Sequence, residues 1–459
     1  MVLPLTPNSS LNGKCPSLKS NFSVVAKIAT VPNRMINKSK IVSTLAALAI
    51  GGIALNVAAE SKPLKVYILA GQSNMEGHAK IETFDYIGDD PATAPLLKEM
   101  RSSDGKPRVC ERVWISYLTG SPEKGTLGEG LGKLTAGYGS RSDPTEDGGK
   151  IGPEFTFGLA MEKAYDGPIL IIKTAWGGKS LHTDFRPPSA GPYEFSETHL
   201  ESLKKKGKNL VEVQADKAKA TGRYYHLMVE HVAKVLKDVK RVYPDYNAKL
   251  GYEIAGFAWF QGWNDMVDGN TYPERRNPGG YDLYSELMTQ FIRDVRKDLS
   301  APEMPFVIGV MGVGGIRDEP NYFRQAMAVP AALPEFKGNV IAVETAPYWD
   351  EPLSVLADEM GAVKKAAYYL KKGQPFHVRK NPIGDTLLNK YLEGDDTAMS
   401  SEEIKAFMKE YRAKRIGPEK EAMWKRGASN AGYHYLGCAK TMALIGRAFA
   451  AATLDMEKG

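Results

Sequence analysis

A serine, a glycine pair and an asparagine occupy positions where they could together carry out acyl transfer. Ser73 lies in the run Gly-Gln-Ser-Asn-Met-Glu-Gly at 71–77, directly after an apolar stretch. A serine in the turn after a strand can expose its hydroxyl as a nucleophile while its own N–H acts as an oxyanion donor. Such a serine is more often only a helix cap, and the G-x-S-x-G spacing of a nucleophile elbow is absent. Taken alone, the motif leaves both interpretations open.

Four further residues complete a candidate constellation. Gly177 and Gly178 follow a second apolar stretch, and paired glycines let backbone N–H groups approach a ligand closely, although a plain turn is the simpler interpretation. Asn264 follows a third, where its amide could either donate to a developing oxyanion or satisfy its own turn. His434 precedes the last predicted helix and could act as the general base for Ser73, although a lone histidine is usually structural. Their joint occurrence favours catalysis.

The elements that must position these residues alternate along the chain. Short apolar runs without alternation predict strands covered on both faces, at 63–70, 167–174, 252–260, 305–311 and 339–345. Helical patterns separate or follow them at 153–165, 223–242, 281–299, 322–333 and 435–454. We therefore predict an α/β fold, a three-layer α/β/α sandwich with a mostly parallel sheet, in which ligands bind beyond the carboxyl ends of the strands.

Two stretches interrupt this alternation and are predicted to be insertions that could cover a site. Residues 103–150 are rich in Gly, Lys and Ser and suggest an irregular loop with one strand at 113–118. Residues 351–427 are charged and contain a capping-box pattern that would begin a helix at Ser400. We predict that residues 60–459 form a single domain with these two insertions.

The first 59 residues have the pattern of a leader and signal peptide. A short basic region precedes an apolar run at 41–57, and small residues end at Ala59, where a signal peptidase could cut. An uncleaved anchor helix is the alternative, but the run is short for a membrane span and contains Ser, Thr and Gly. We therefore expect a periplasmic or secreted protein with no stable membrane association after cleavage.

Charge and cysteine content exclude some partners. The net charge is +6, but six of the 60 basic residues lie in the first 59 positions, which hold no acidic residue. The rest of the chain is neutral, so no nucleic-acid partner is expected. The sequence contains no CxxC or HExxH motif, so it does not indicate a metal site. Cys110 and Cys438 could pair in an exported protein, and the sequence leaves this open.

The motifs GQSNMEG, AWGGKSL, FQGWND and GYHYLG resemble those of the SGNH hydrolases. The match is strongest with the carbohydrate-esterase branch that includes sialate O-acetylesterases and family 6 acetylxylan esterases, and it covers residues 62–350 and 428–455. The resemblance implies a flavodoxin-like fold that needs no metal or organic cofactor. It also implies Ser73 as nucleophile, His434 as base, and oxyanion donors from the N–H groups of Ser73 and Gly177 or Gly178 and from the Asn264 side chain.

One family position is not matched. The family commonly has an aspartate three residues before the histidine, where this chain has Ala431, and neither Asn430 nor Gly432 is expected to replace it. Either another carboxylate orients the imidazole or the site works as a dyad. We choose Asp350, after the fifth predicted strand, as the third catalytic residue, with Asp265 as an alternative.

The resulting prediction is an exported serine esterase that removes O-acetyl groups from carbohydrate of the sialate or xylan type. Gln72, Trp176, Gln261 and Trp263 are the predicted substrate-binding residues, although the aromatic ones could equally be core residues. A lipid esterase of the same fold would need an apolar groove. A non-catalytic carbohydrate-binding protein would agree with Ala431 but not with an intact serine and histidine. The oligomeric state is not indicated.

Overall fold

The computed structural model describes residues 62–141, 143–146, 148–372 and 400–458, and these belong to one compact unit. The predicted leader at 1–59 lies outside them, as does the middle of the predicted insertion at 351–427. Within the described residues, no helix is both long and apolar enough to span a membrane. In the same part of the chain, no three His, Cys, Asp or Glu side chains are grouped as metal ligands. Cys110 and Cys438 are buried and unpaired.

A central sheet confirms the predicted α/β class. The strands are β1 (Leu64–Gly71), β2 (Ala79–Lys80), β3 (Val113–Thr119), β4 (Gly128–Lys133), β5 (Lys150–Ile151), β6 (Ile169–Ala175), β7 (Tyr252–Phe260), β8 (Phe306–Val310) and β9 (Val340–Glu344). Seven of them form one sheet in the order β4-β3-β6-β1-β7-β8-β9, parallel except where β4 pairs with β3. The other two, β2 and β5, form a separate antiparallel pair.

Helices cover both faces of the sheet. The α-helices are α1 (Ser73–Glu76), α2 (Ala94–Met100), α3 (Glu154–Ala164), α4 (Glu197–Lys205), α5 (Leu210–Ala220), α6 (Arg223–Lys237), α7 (Trp263–Val267), α8 (Asp282–Asp298), α9 (Tyr322–Ala328), α10 (Glu351–Lys372), α11 (Ser401–Arg415), α12 (Gly417–Gly427) and α13 (Ala439–Lys458). Alternate residues of β1 point to opposite faces. Val66 and Ile68 join the core under α6 and α8, whereas Tyr67 and Leu69 join the core under α3 and α13.

The predicted insertions contain more structure than the sequence indicated. The strand expected at 113–118 is present as β3, but β4 was missed because every second residue from Gly128 to Gly132 is a glycine. The predicted capping box is confirmed, since the Ser400 hydroxyl accepts from the Glu403 N–H while the Glu403 carboxylate accepts from the Ser400 N–H. The described parts of 351–427 are helical.

The last two predicted helices of the core have different bounds from those expected. The helix predicted over 322–333 ends at Ala328 and continues only as a 3-10 turn that contains Pro330. The helix predicted from Tyr435 begins instead at Ala439, because Tyr435 and Leu436 have φ values of 51° and 60°. These left-handed residues interrupt the helix directly after His434.

Candidate active site

The strand pairing brings three of the predicted turns to one level. Gly71 at the end of β1 pairs with Ala175 at the end of β6 and with Phe260 at the end of β7. Ser73 and Gly177 each lie two residues beyond these paired ends, and Asn264 lies four residues beyond. Three neighbouring parallel strands therefore deliver the predicted nucleophile and the predicted oxyanion donors to the same edge of the sheet.

Gly71 is required for this close approach. A Cβ atom at this position would lie 2.2 Å from the carbonyl oxygen of Phe260, far inside van der Waals contact. The N–H of Gln72 donates to that same oxygen at 3.2 Å. The chain can therefore leave β1 pressed against β7, and Ser73 enters the short helix α1 directly afterwards.

Gly177, one of the predicted oxyanion donors, lies next to Ser73. A Cβ atom on Gly177 would lie 3.8 Å from the Ser73 Cβ, and both Gly177 and Gly178 are exposed. Among the described residues, the N–H groups of Ser73, Gly177 and Gly178 and the half-buried side chain of Asn264 have no hydrogen-bond acceptor. Unused donors that converge beside a hydroxyl are what an oxyanion hole needs.

Gln72 and Gln261 connect these turns instead of facing a ligand, which corrects their predicted role in substrate binding. Both are buried, with 1% and 2% of their surface exposed. The Gln72 side-chain oxygen accepts from the N–H of Gly262 at 3.1 Å, from the Gln261 amide at 3.2 Å and from the N–H of Asn264 at 3.4 Å. Gln72 thus fixes the Asn264 backbone relative to Ser73.

Asp265 performs the same task for the glycine turn. Its fully buried carboxylate accepts from the N–H groups of Leu181 at 2.8 Å and His182 at 3.0 Å and from the Tyr272 hydroxyl at 2.9 Å. The side chain of Gln261 also donates to it. These bonds hold the segment that follows Gly177 and Gly178. Asp265 is therefore not the third member of a triad, the alternative that the sequence had left open.

His434 is held beside α1 by a turn that is strained. The left-handed conformations of Tyr435 and Leu436 are unfavourable for residues with side chains. They persist because the buried Tyr435 hydroxyl accepts from the Gly312 N–H at 2.7 Å and shares a 2.6 Å hydrogen bond with the Thr345 hydroxyl. The side-chain amide of Asn74 donates to the Tyr433 carbonyl at 3.2 Å, which connects this turn to the helix that carries Ser73.

Asn430 orients the imidazole of His434. This corrects the expectation that Asn430 would not replace the missing aspartate. The Asn430 side-chain oxygen lies 3.0 Å from Nδ1 of His434 and 2.7 Å from the backbone nitrogen of Ala431. Because the Ala431 N–H must donate to it, the atom facing His434 is the amide oxygen. Nδ1 of His434 therefore carries a hydrogen, and Nε2 keeps its lone pair. This is the tautomer that a general base needs, as in Cys-His-Asn sites.

Asp350 does not contact His434, so the prediction that it is the triad acid is wrong. Its buried carboxylate accepts from the Tyr86 hydroxyl at 3.0 Å and the Leu353 N–H at 3.1 Å and pairs with Lys440. The Leu353 bond places it at the first turn of α10, where an anion is favourable. Asp350 thus anchors the start of α10.

Burial determines the protonation state of His434. Desolvation lowers the pKa of His434 to about 4, and the neighbouring His78 adds to the decrease, while Glu76 opposes it. The imidazole is therefore neutral at pH 7. Within the described residues, no hydrogen bond joins the Ser73 hydroxyl to His434. Such contacts often tighten only when a substrate binds.

Glu76 and His78 are site residues to which the sequence analysis gave no role. The His78 ring stacks on that of His434, with centroids 4.0 Å apart and planes 1° apart. Nε2 of His78 lies 3.6 Å from the Glu76 carboxylate. The available signal was their position, since Glu76 lies within the GQSNMEG motif and His78 directly follows it.

The two aromatic residues predicted to bind substrate differ in their surroundings. Trp176 is 2% exposed and packs against Phe185 and Tyr224, which corrects its predicted role in substrate binding. Trp263 is half-buried, with its ring 5.8 Å from that of Tyr433. Tyr433, which the sequence analysis did not single out, is 46% exposed and lies edge-on to His434 at 4.4 Å.

Part of the chain matches a known family of esterases. Residues 139–348 match the family model for carbohydrate esterases described as sialic acid-specific acetylesterase. The match includes Gly177, Gly178 and Asn264, whereas Ser73 and His434 lie outside it. No curated protein matches the sequence. The predicted resemblance to the carbohydrate esterases is therefore confirmed over this segment, and with it the prediction of a carboxylic ester hydrolase.

Two solved structures are similar to parts of the chain. A protein from Arabidopsis thaliana is 17% identical with a TM-score of 0.33, and the match covers 62% of this chain and 86% of that one. A carbohydrate acetylesterase from Xanthomonas citri is 14% identical with a TM-score of 0.33, and the match covers 61% of this chain and 49% of that one.

Proposed function

We propose that this carboxylic ester hydrolase is a serine esterase that removes O-acetyl groups from carbohydrate through an acyl-serine intermediate. The observation that carries the proposal is the hydrogen bond between Asn430 and Nδ1 of His434, which leaves Nε2 free as a base beside α1. The unused N–H groups of Ser73, Gly177 and Gly178 support it. The family match supplies the reaction class.

The first half of the reaction would transfer the acetyl group to the enzyme. Nε2 of His434 takes the proton of the Ser73 hydroxyl while the oxygen attacks the ester carbonyl. The negative charge on the carbonyl oxygen is stabilised by the N–H groups of Ser73 and Gly177 or Gly178 and by the Asn264 amide. When the carbon–oxygen bond to the sugar breaks, the imidazolium returns its proton to the departing alcohol.

The second half would regenerate the enzyme. His434 takes a proton from a water molecule, and the resulting hydroxide attacks the acetyl carbonyl on Ser73. The same donors stabilise the second oxyanion. The bond to Ser73 breaks, the Ser73 oxygen regains the proton from the imidazolium, and acetic acid leaves and loses its proton to the solvent.

An acetylated sugar is the proposed substrate, of the sialate or xylan type. Tyr433 exposes almost half of its surface next to His434, and Trp263 lies beside it. Flat aromatic surfaces at the edge of a site suit the apolar faces of sugar rings. The description of the matching family points to the same class of substrate.

The test is acetate release by the purified protein from p-nitrophenyl acetate, acetylated xylan and O-acetylated sialic acid. We expect Ser73→Ala and His434→Ala to lower kcat by about 10³-fold or more. Ser202→Ala in α4 is the matched control and should keep wild-type activity. Mass spectrometry of a quenched reaction should find the acetyl group on the Ser73 peptide.

Two outcomes would contradict the proposal. If Ser73→Ala released acetate at the wild-type rate, the nucleophile would have to be another group. If the wild-type protein bound acetylated glycans but released no acetate from any of the three substrates, the chain would be a carbohydrate-binding protein on a hydrolase scaffold.

We also propose that the protein is exported after cleavage near Ala59. The proposal rests on the basic region, the apolar run and the small residues at 38–59, which lie outside the described residues. The N-terminal sequence of the protein recovered from the periplasm or medium of a bacterial host should begin at Glu60. Recovery in the cytoplasm with the leader still attached would contradict it.

A further inference from the structure

Glu76 and His78 surround the catalytic base without being part of the proposed reaction. The His78 ring lies flat against the His434 ring. The Glu76 carboxylate lies 3.6 Å from Nε2 of His78. That nitrogen is buried and has no hydrogen-bond partner among the described residues. A buried polar atom without a partner is costly, so its orientation towards a carboxylate calls for an explanation.

The pair is fixed in place by the surrounding backbone. Lys173, which is completely buried, donates to the Glu76 carbonyl oxygen at 2.9 Å. The chain turns between Glu76 and His78 at Gly77, where φ is +92° and a Cβ atom would lie 2.2 Å from the Gly152 nitrogen. Only glycine permits this turn between the two residues.

Charge at the base is the second consideration. In a serine triad, one carboxylate both orients the imidazole and stabilises the imidazolium that forms during the reaction. Here Asn430 orients the ring, but its amide is neutral. The titratable groups that act on His434 are Glu76, His78 and Lys150, and Glu76 is the negative one.

We propose that Glu76 and His78 are a positioning pair for His434, in which the stacked His78 ring holds the imidazole and Glu76 provides the negative charge that Asn430 lacks. The inference rests on the proposed function, because it assigns a role in the chemistry of the same base. Neither residue takes or gives a proton in the proposed reaction. Both act through His434.

Replacing His78 separates the two parts of the proposal. His78→Ala removes the stacked ring and should lower kcat about two- to tenfold, whereas His78→Phe keeps a flat ring and should restore most of that loss. His78→Phe also removes the neighbouring imidazole that disfavours a proton on His434. The acidic limb of the kcat/KM profile should therefore move to higher pH, by about half a unit or more.

The double variant His78→Phe/Glu76→Gln then tests the carboxylate alone. Loss of its negative charge should move the acidic limb back to lower pH by a similar amount and lower kcat at the plateau. Glu82→Gln is the matched control, because the Glu82 side chain is 81% exposed and pairs with Lys80. It should leave the limb and kcat unchanged.

The outcomes separate this inference from the proposed function. The positioning role would be wrong, and the esterase would stand, if His78→Ala kept wild-type kcat while Ser73→Ala and His434→Ala abolished turnover. The same would follow if His78→Phe left the acidic limb at the wild-type pH, or if adding Glu76→Gln to it did not move the limb back to lower pH. If Ser73→Ala and His434→Ala left turnover intact, the proposed function would fail and this inference with it. If the variants lost kcat without the expected shifts of the acidic limb, His78 and Glu76 would have a structural role only. That result would also overturn this inference.

Discussion

Introducing a carboxylate at Asn430 should change the working pH range of the enzyme. The Asn430 oxygen is 3.0 Å from Nδ1 of His434, and burial lowers the pKa of that histidine to about 4. Aspartate has the same size and still accepts from the Ala431 N–H, so Asn430→Asp adds a charge with little change in shape. An opposite charge at this distance raises an imidazole pKa by about one to three units.

The acidic limb of kcat/KM should therefore move from about pH 4 in the wild type to between about pH 5 and 7 in the variant. Above that limb, kcat should rise about fivefold, because a charge-assisted hydrogen bond stabilises the imidazolium by about 1 kcal/mol more than a neutral one. Hydrolysis of p-nitrophenyl acetate in constant-ionic-strength buffers measures both quantities.

Two companion variants make this result decisive. Asn430→Ala removes the acceptor, so Nδ1 loses the partner that selects its tautomer, and kcat should fall about tenfold or more. Asn270→Asp adds the same charge at an exposed position and should leave the profile unchanged. If Asn430→Asp left the limb in place or moved it to lower pH, Asn430 would not face Nδ1 in the active enzyme.

Three further predictions concern the framework of the site. Asp265→Ala should lower the free energy of unfolding by about 3 kcal/mol or more in urea titrations and also reduce kcat, because it removes a buried acceptor used by Leu181; unchanged stability would contradict this. Lys173→Met should cost about 3–5 kcal/mol because it leaves the buried Glu154 carboxylate unpaired, and adding Glu154→Gln should recover part of that loss in the same titration. Burial lowers the pKa of His231 from 6.5 to about 4. The folded state therefore binds fewer protons than the unfolded state in this range, so the Tm should fall as the pH drops from about 6.5 to about 4 and should fall less in His231→Gln.

The fold could be predicted wherever side chains record burial. All seven residues of β6 are buried, and all except Lys173 and Thr174 are apolar. The sequence predicted this strand nearly to its ends. The edge strand β4 carries a glycine at every second position, so it has neither the apolar run nor the alternation by which strands are recognised.

The site was predictable to the extent that it follows strand ends. Ser73, Gly177 and Asn264 follow neighbouring parallel strands, and the strand register brings them together without further information. The partner of His434 could not be found in this way. Asn430 reaches Nδ1 in a turn where two residues without glycine's freedom, Tyr435 and Leu436, adopt left-handed conformations. The hydrogen bond between the Tyr435 hydroxyl and the distant Gly312 N–H helps to stabilise this turn, and the sequence pattern does not reveal it.

Polar residues at strand ends are ambiguous for a related reason. Gln72 and Gln261 have the chemistry of ligand-binding residues, and they occupy the right level of the sheet. Their hydrogen bonds are instead made with each other and with the backbone of the neighbouring turn. An amide that binds a sugar and an amide that joins two loops look alike in a sequence, since the difference lies only in what faces them.

The loss of the usual aspartate before the catalytic histidine need not end catalysis, because orientation and charge are separable requirements. The tautomer of His434 requires only an acceptor at Nδ1, and the Asn430 oxygen supplies one. Stabilising the imidazolium requires a negative charge nearby, at any angle, since Coulomb interactions fall off slowly with distance in a poorly solvated site. Glu76, whose carboxylate lies 3.6 Å from Nε2 of His78, provides that charge. A site divided in this way should keep a base of low pKa, and it should therefore remain active in acid where an imidazole paired with aspartate would already be protonated.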